Sequence, residues 1–141
     1  MTAGEIPPPP DGFVSSPGRG AFSGHNGPYF HRPAAGGAEQ AFFALARHCN
    51  GLGLIHGGML SAFLDGLLAA AAARATGATP VTVHLSVDFL DMGRAGEWVL
   101  GAAKVTRAAR DIAFVEGRAH VAGRDLARAS GVFKLMRRRG G

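Results

Sequence analysis

The segment NGLGLIHGGMLSAFLDGLLAAAAARA, residues 50–75, sets an asparagine, a histidine, a glycine pair and one aspartate at the head of an otherwise apolar run. Asp65 stands among Phe63, Leu64, Leu67 and Leu68. Buried there without a partner, a carboxylate would cost several kcal/mol or take up a proton. At the edge of an apolar pocket it would serve as general base or nucleophile; the alternative is an aspartate tied to a loop. Gly57 and Gly58 let the backbone come close to a ligand at a helix start, where first-turn N–H groups lack partners and carry the positive end of the dipole. That is an oxyanion hole in kind, although two glycines also suit a tight strand-to-helix turn. Asn50 would orient a water or a carbonyl, or act as the turn residue before a glycine. His56 would hold the loop or touch substrate. Cys49 reads as a packing residue.

Other chemistries lack their residues. GLGLIHG carries His56 where a dinucleotide loop needs its third glycine, and no strand–turn–helix crossover surrounds it. No serine sits in a Gly-x-Ser-x-Gly frame, so HGG is not part of a serine-hydrolase site. The six histidines, at 25, 31, 48, 56, 84 and 120, have no metal-ligand spacing, and no metal is expected.

A helix must position these groups. From Met59 to Thr76 the pattern leaves no polar face, and Gly77 is a fitting stop. A helix apolar all round is wrapped by something. The wrapper follows in VTVHLSVDFL, where Val81, Val83, Leu85, Val87 and Phe89 alternate with Thr82, His84, Ser86 and Asp88, the pattern of a half-buried strand. EWVLGAAKVTR, IAFVEGRAHVA and DLARASGVFKLM are three further strands able to pair as an antiparallel meander. Upstream, GPYFHRPAAGG reads as a short extended piece, and EQAFFALARHCN fits either strand or helix and is taken as a strand because the strands downstream need a partner there. One long helix wrapped by a curved antiparallel sheet gives an α+β fold. Residues 1–26, rich in proline and glycine, are expected as a partly disordered arm outside the core. Residues 27–136 form the domain, and 137–141 a basic tail.

At 141 residues and 47% hydrophobic, the chain supports one domain. A single cysteine and the lack of a basic-plus-apolar leader point to a reducing, cytoplasmic setting. The longest apolar run, broken by Asp65, falls short of the roughly 18–20 residues of a membrane span, so no membrane partner is expected. The net charge of +5 suits a polyanionic partner, and three of the positive charges are Arg137, Arg138 and Arg139. No aromatic residue interleaves with these arginines, which argues against nucleic acid.

RHCNGLGLIHGGMLSAFLD resembles the signature of hotdog-fold acyl-CoA thioesterases of the phenylacetate-degradation type, which run Asn, then His-Gly-Gly, then Asp within the hotdog helix. VTVHLSVDFL and VTRAARDIAFVEG are also similar to that family's strands, and the likeness spans residues 27–135. It implies hydrolysis of an acyl- or aryl-acyl-CoA to the free acid and CoA, without metal or redox cofactor. It implies Asp65 as the catalytic carboxylate, Gly57 as the N–H donor to the thioester oxygen, and Asn50 and His56 in support of the carbonyl or water. Gly58 and Thr82 are implied to lie against substrate, Thr82 beside the attacking water. Arg107, Arg110 and the Arg137–Arg139 tail are expected to hold CoA phosphates. The alternatives are a non-catalytic acyl-CoA-binding or regulatory hotdog protein and a hotdog dehydratase. IHGGMLSAFLD lacks the histidine and acid placement that removal of an alpha proton requires. Gly57 and Asp65, eight residues apart, are separated by roughly 12 Å along one helix. One thioester carbon does not easily reach both. A homodimer in which two antiparallel helices pair Gly57 of one subunit with Asp65 of the other is therefore expected, with a dimer of dimers above it.

Overall fold

The computed structural model describes residues 6–137. In chain order the elements are β1 (Val14–Ser15), α1 (Ala21–Asn26), β2 (Phe30–Arg32), β3 (Ala38–Phe43), a single 3₁₀ turn (Ala46–His48), α2 (Gly57–Thr76), β4 (Thr79–Phe89), β5 (Trp98–Ala108), β6 (Ile112–Val121) and β7 (Arg124–Met136). The strands form one antiparallel sheet in the order β1-β2-β3-β5-β6-β7-β4, and α2 packs across it. The expected α+β architecture, a sheet curled round one long helix, is present. The meander β5-β6-β7 is there as well.

α2 begins two residues earlier than the apolar pattern suggested and ends where Gly77 turns left-handed at φ 71°, its N–H donating to the Ala73 carbonyl at 2.8 Å. At 20 residues, with a mean hydropathy of 1.3 over its most apolar window, α2 is long and apolar enough to cross a membrane, which corrects the expectation that no run reaches that length. Its Leu60, Phe63, Leu64, Leu67 and Leu68 instead enter the core. The close seating comes from the sheet. A Cβ at Gly101 would come within 2.7–2.9 Å of Leu67 and Phe63, and one at Gly117 within 2.8 Å of Leu68, so the bare backbone at these positions admits the helix.

α2 is not wrapped all round. Ala62, Asp65, Gly66, Ala69 and Ala73 form a half-exposed stripe of small residues around the one carboxylate. β4, beside this stripe, is the sheet's edge rather than a half-buried strand: Val81, Val83 and Phe89 are exposed, Val83 by 60%. Regular alternation also fails within it. The register against β7 slips between Thr82 and His84, so Pro80 and Thr82 pair with the core residues Leu135 and Phe133, while beyond the bulge Leu85 and Val87 take the core side opposite Gly131 and Ala129. One extra residue, Val83, turns Thr82 toward the helix instead of away from it.

Residues 6–26, expected to lie outside the core, hold β1 and α1. Phe13 is buried beneath the Arg32 guanidinium, which lies 4.5 Å from its ring centroid. Arg138 and Arg139 lie outside the described residues.

Candidate active site

The helix start is built by the residues the sequence singled out. His56 is the N-cap of α2: its Nδ1 accepts the Gly58 N–H at 2.8 Å. A Cβ on Gly58 would sit 2.9 Å from that nitrogen, so the glycine is needed for the cap to form. The Gly58 N–H is thus already taken by the cap. The cap also gives His56 a structural duty through one nitrogen, leaving Nε2 at the exposed surface. The Gly57 N–H has no partner among the described residues and lies at the positive end of the 20-residue dipole. A Cβ on Gly57 would meet the Phe89 ring at 3.3 Å.

Asn50 holds the loop ahead of the helix. Its Oδ1 accepts the N–H groups of Leu52 (2.9 Å) and Leu54 (3.2 Å), and its own N–H donates to the Leu54 carbonyl at 2.8 Å. The turn role is therefore filled, and only the Nδ2 donors remain for a carbonyl or water. The loop is fastened by Ile55 N–H to the Gly93 carbonyl (2.8 Å) and His56 N–H to the His48 carbonyl (2.9 Å).

Two turns along, Asp65 is half-exposed rather than sealed in apolar surroundings. Thr82 Oγ1 donates to its Oδ1 at 2.6 Å, linking two predicted site residues seventeen apart in sequence. The bond fixes one carboxylate oxygen and leaves Oδ2 to act on a water or an acyl carbon. Asp65 opens onto a cavity of about 360 Å³ between α2 and the segment around α1, lined by Phe22, Tyr29, Gln40, Ala62 and Phe63 among others. The N-terminal segment, which carried no expected role, thus forms a wall of the space beside the carboxylate.

The basic residues gather elsewhere. Arg137 Nε donates to the Arg110 carbonyl (3.1 Å) and its Nη1 to the Thr76 carbonyl (3.3 Å), placing Arg110 and Arg137, both exposed, at the C-terminal end of α2. Arg107 is exposed near the same end of β5. These residues are not brought to the helix start.

Two buried polar residues were missed. His48, 3% exposed, accepts the Leu45 N–H on Nδ1 (3.0 Å) and donates from Nε2 to the Asn26 carbonyl (2.7 Å), tying the N-terminal segment to the loop before α2. Burial pushes its pKa below the usual histidine value, aided by the Arg47 charge and opposed by its backbone hydrogen bonds. Gln40 is 6% exposed on the helix side of β3. Its signal was available, since a period of two puts it on the face of Ala38 and Phe42. No such pattern marks His48.

A seven-stranded antiparallel sheet curled round one long helix defines a hotdog-fold protein. The chain belongs to the Thioesterase superfamily, whose family model matches residues 52–128. It is 40% identical over 114 residues to PA0474 of Pseudomonas aeruginosa, a protein named as an esterase, covering 77% of this chain and 84% of that one. A solved structure from Ralstonia eutropha JMP134, named as a thioesterase and phenylacetic acid degradation-related protein, is 30% identical with a TM-score of 0.74, covering 84% and 92%. A Streptococcus pneumoniae thioesterase protein solved with coenzyme A shares the fold at 18% identity and a TM-score of 0.73, covering 79% and 91%. Thioester hydrolysis is the general activity these relatives support.

Proposed function

We propose that the protein hydrolyses an acyl-CoA or aryl-acyl-CoA thioester to the free acid and CoA, in sites shared between two subunits. The observation that carries this reading is the placement of Asp65. It is hydrogen-bonded by Thr82, opens onto a largely apolar cavity, and lies on the uncovered stripe of α2 beside the free edge of β4. Gly57 and Asp65 lie on one unbroken helix, so about 12 Å of axial rise separates them within a chain. A second copy related by a two-fold axis, with α2 antiparallel along the small-residue stripe and β4 beside β4, brings the partner's free N–H to the Asp65 carboxylate. It also covers Val81 and Val83 and pairs the open sheet edge.

In such a site the thioester oxygen accepts a hydrogen bond from the Gly57 N–H, which favours the oxyanion developing at the acyl carbon. Asp65 either takes a proton from the attacking water or attacks directly to give an anhydride that water then opens. In both cases a C–O bond forms, the C–S bond breaks, and the thiolate leaves as CoA. Thr82 orients the carboxylate through Oδ1. The arginines suit the far end of the ligand: Thr76 lies eleven residues beyond Asp65, about 16 Å along α2, a distance that an extended pantetheine arm spans. The bound coenzyme A of the pneumococcal relative is in keeping with this ligand.

Thiol release from a panel of acyl- and aryl-acyl-CoAs tests the proposal. At least one member should turn over, and Asp65→Asn should lower kcat by about 10²-fold or more while the fold, read by circular dichroism, is kept. Binding of every panel member without turnover would mark a non-catalytic acyl-CoA-binding protein instead.

A further inference from the structure

The cavity beside Asp65 carries polar groups that thioester hydrolysis does not use. Gln40 lines it from β3 and Tyr29 from the N-terminal segment, with Asp65 at the same space. Gln40 is 6% exposed, and its carboxamide, which has no hydrogen-bond partner among the described residues, opens onto the cavity. The Tyr29 hydroxyl is likewise without one, although the ring is packed parallel to Phe63 at 6.3 Å. A leucine opposite Gly101 would pack on Phe63 and leave that wall apolar, whereas the amide keeps a polar group facing the cavity. The retained carboxamide therefore has its partner in whatever fills the cavity.

We infer that Gln40, together with Tyr29, forms a polar wall of the acyl site that selects acyl groups bearing a hydrogen-bonding substituent, a hydroxyl or a ketone, over unsubstituted ones. Both side chains donate and accept, so either substituent satisfies them. A plain hydrocarbon chain leaves the amide unpaired and is penalised for it, which is the asymmetry by which a site built for a polar group rejects the analogue lacking it. The inference rests on the proposed thioesterase activity, and the N-terminal segment gains a role in it, since Tyr29 is held there.

The test compares kcat/KM for hexanoyl-CoA, 5-oxohexanoyl-CoA and 6-hydroxyhexanoyl-CoA, which share a carbon skeleton. The wild-type chain should prefer at least one oxygenated substrate by about tenfold or more. Gln40→Leu should abolish that preference and raise kcat/KM for hexanoyl-CoA, a gain that damage to the fold cannot produce. Tyr29→Phe should reduce the preference less. Wild-type turnover of all three at similar rates would overturn the inference while leaving thioester hydrolysis intact. So would a preference unchanged in both Gln40→Leu and Tyr29→Phe. Release of thiol from none of the three, nor from the wider acyl-CoA panel, would overturn the hydrolase reading and this inference with it.

Discussion

His48 shows how much of the site rests on one neutral imidazole. Nδ1 accepts from Leu45 and Nε2 donates to Asn26, so a proton added to Nδ1 removes an acceptor the backbone needs. The folded-state pKa is below the ordinary 6.5, mainly through burial. Between that lowered value and 6.5 the unfolded chain binds more protons, so stability rises with pH in this window and levels off above it. Lowering the pH from about 7.5 to about 5.5 should therefore reduce Tm, and His48→Gln, though less stable at neutral pH, should show a shallower fall by circular dichroism. At the other end of α2, Arg110→Ala with Arg107→Ala should raise KM several-fold for an acyl-CoA and little for the matching acyl-pantetheine, because only the former carries the nucleotide phosphates. Equal effects on both substrates would detach these arginines from the ligand. The head of α2 was legible from residue types because Asn50, His56, the glycines and Asp65 all lie within sixteen residues of one helix start. What the types could not show was division of labour. Only the bonds to Leu52, Leu54 and Gly58 separate the groups that build the loop from those left free.

Among the elements, the β6–β7 hairpin stores strain that the sequence explains. Its two turn residues, Ala122 at φ 48° and Gly123 at φ 81°, both have the left-handed backbone of a type I′ turn, which glycine adopts freely and alanine does not. Ala122→Asn, the residue type preferred there, should stabilise the fold by about 1 kcal/mol, or roughly 2–5 °C in Tm by thermal melt, without changing activity. β5, β6 and β7 were readable as strand-like runs separated by short turns, and α2 as an apolar run too long for a strand that stops at Gly77. β4 was misread for a matching reason. Alternation is blind to a bulge, and the single extra residue at Val83 reverses which side chains face α2. That slip is what delivers the Thr82 hydroxyl to Asp65, so the break in the pattern serves the site. The segment ahead of β2 was illegible because its proline and glycine content masks two short elements whose position depends on Arg47 bonding the His25 and Gly27 carbonyls and on His48 bonding that of Asn26.

At the scale of the whole molecule, one chain leaves open three features that the proposed dimer would complete. It has a sheet edge with exposed Val81 and Val83, a small-residue stripe on its central helix, and a carboxylate separated from the nearest free helix-start N–H by about 12 Å of axial rise. The proposed assembly of two chains would resolve all three at once, and complementation between two inactive chains measures this most directly. Asp65→Asn removes the carboxylate function. Gly57→Pro removes the N–H donor at a position that tolerates proline, since it is the first residue of α2 and His56 before it is already extended at φ −63°, ψ 135°. The half-exposed Phe89 ring can yield to the added atoms. Each variant alone, folded by circular dichroism and dimeric by gel filtration, should be inactive. In a heterodimer isolated with two different tags, one site collects both lesions and the other neither, so about half the wild-type thioesterase activity per dimer should return. Folded heterodimers that remain as inactive as either parent would show that Gly57 and Asp65 do not meet across a subunit boundary.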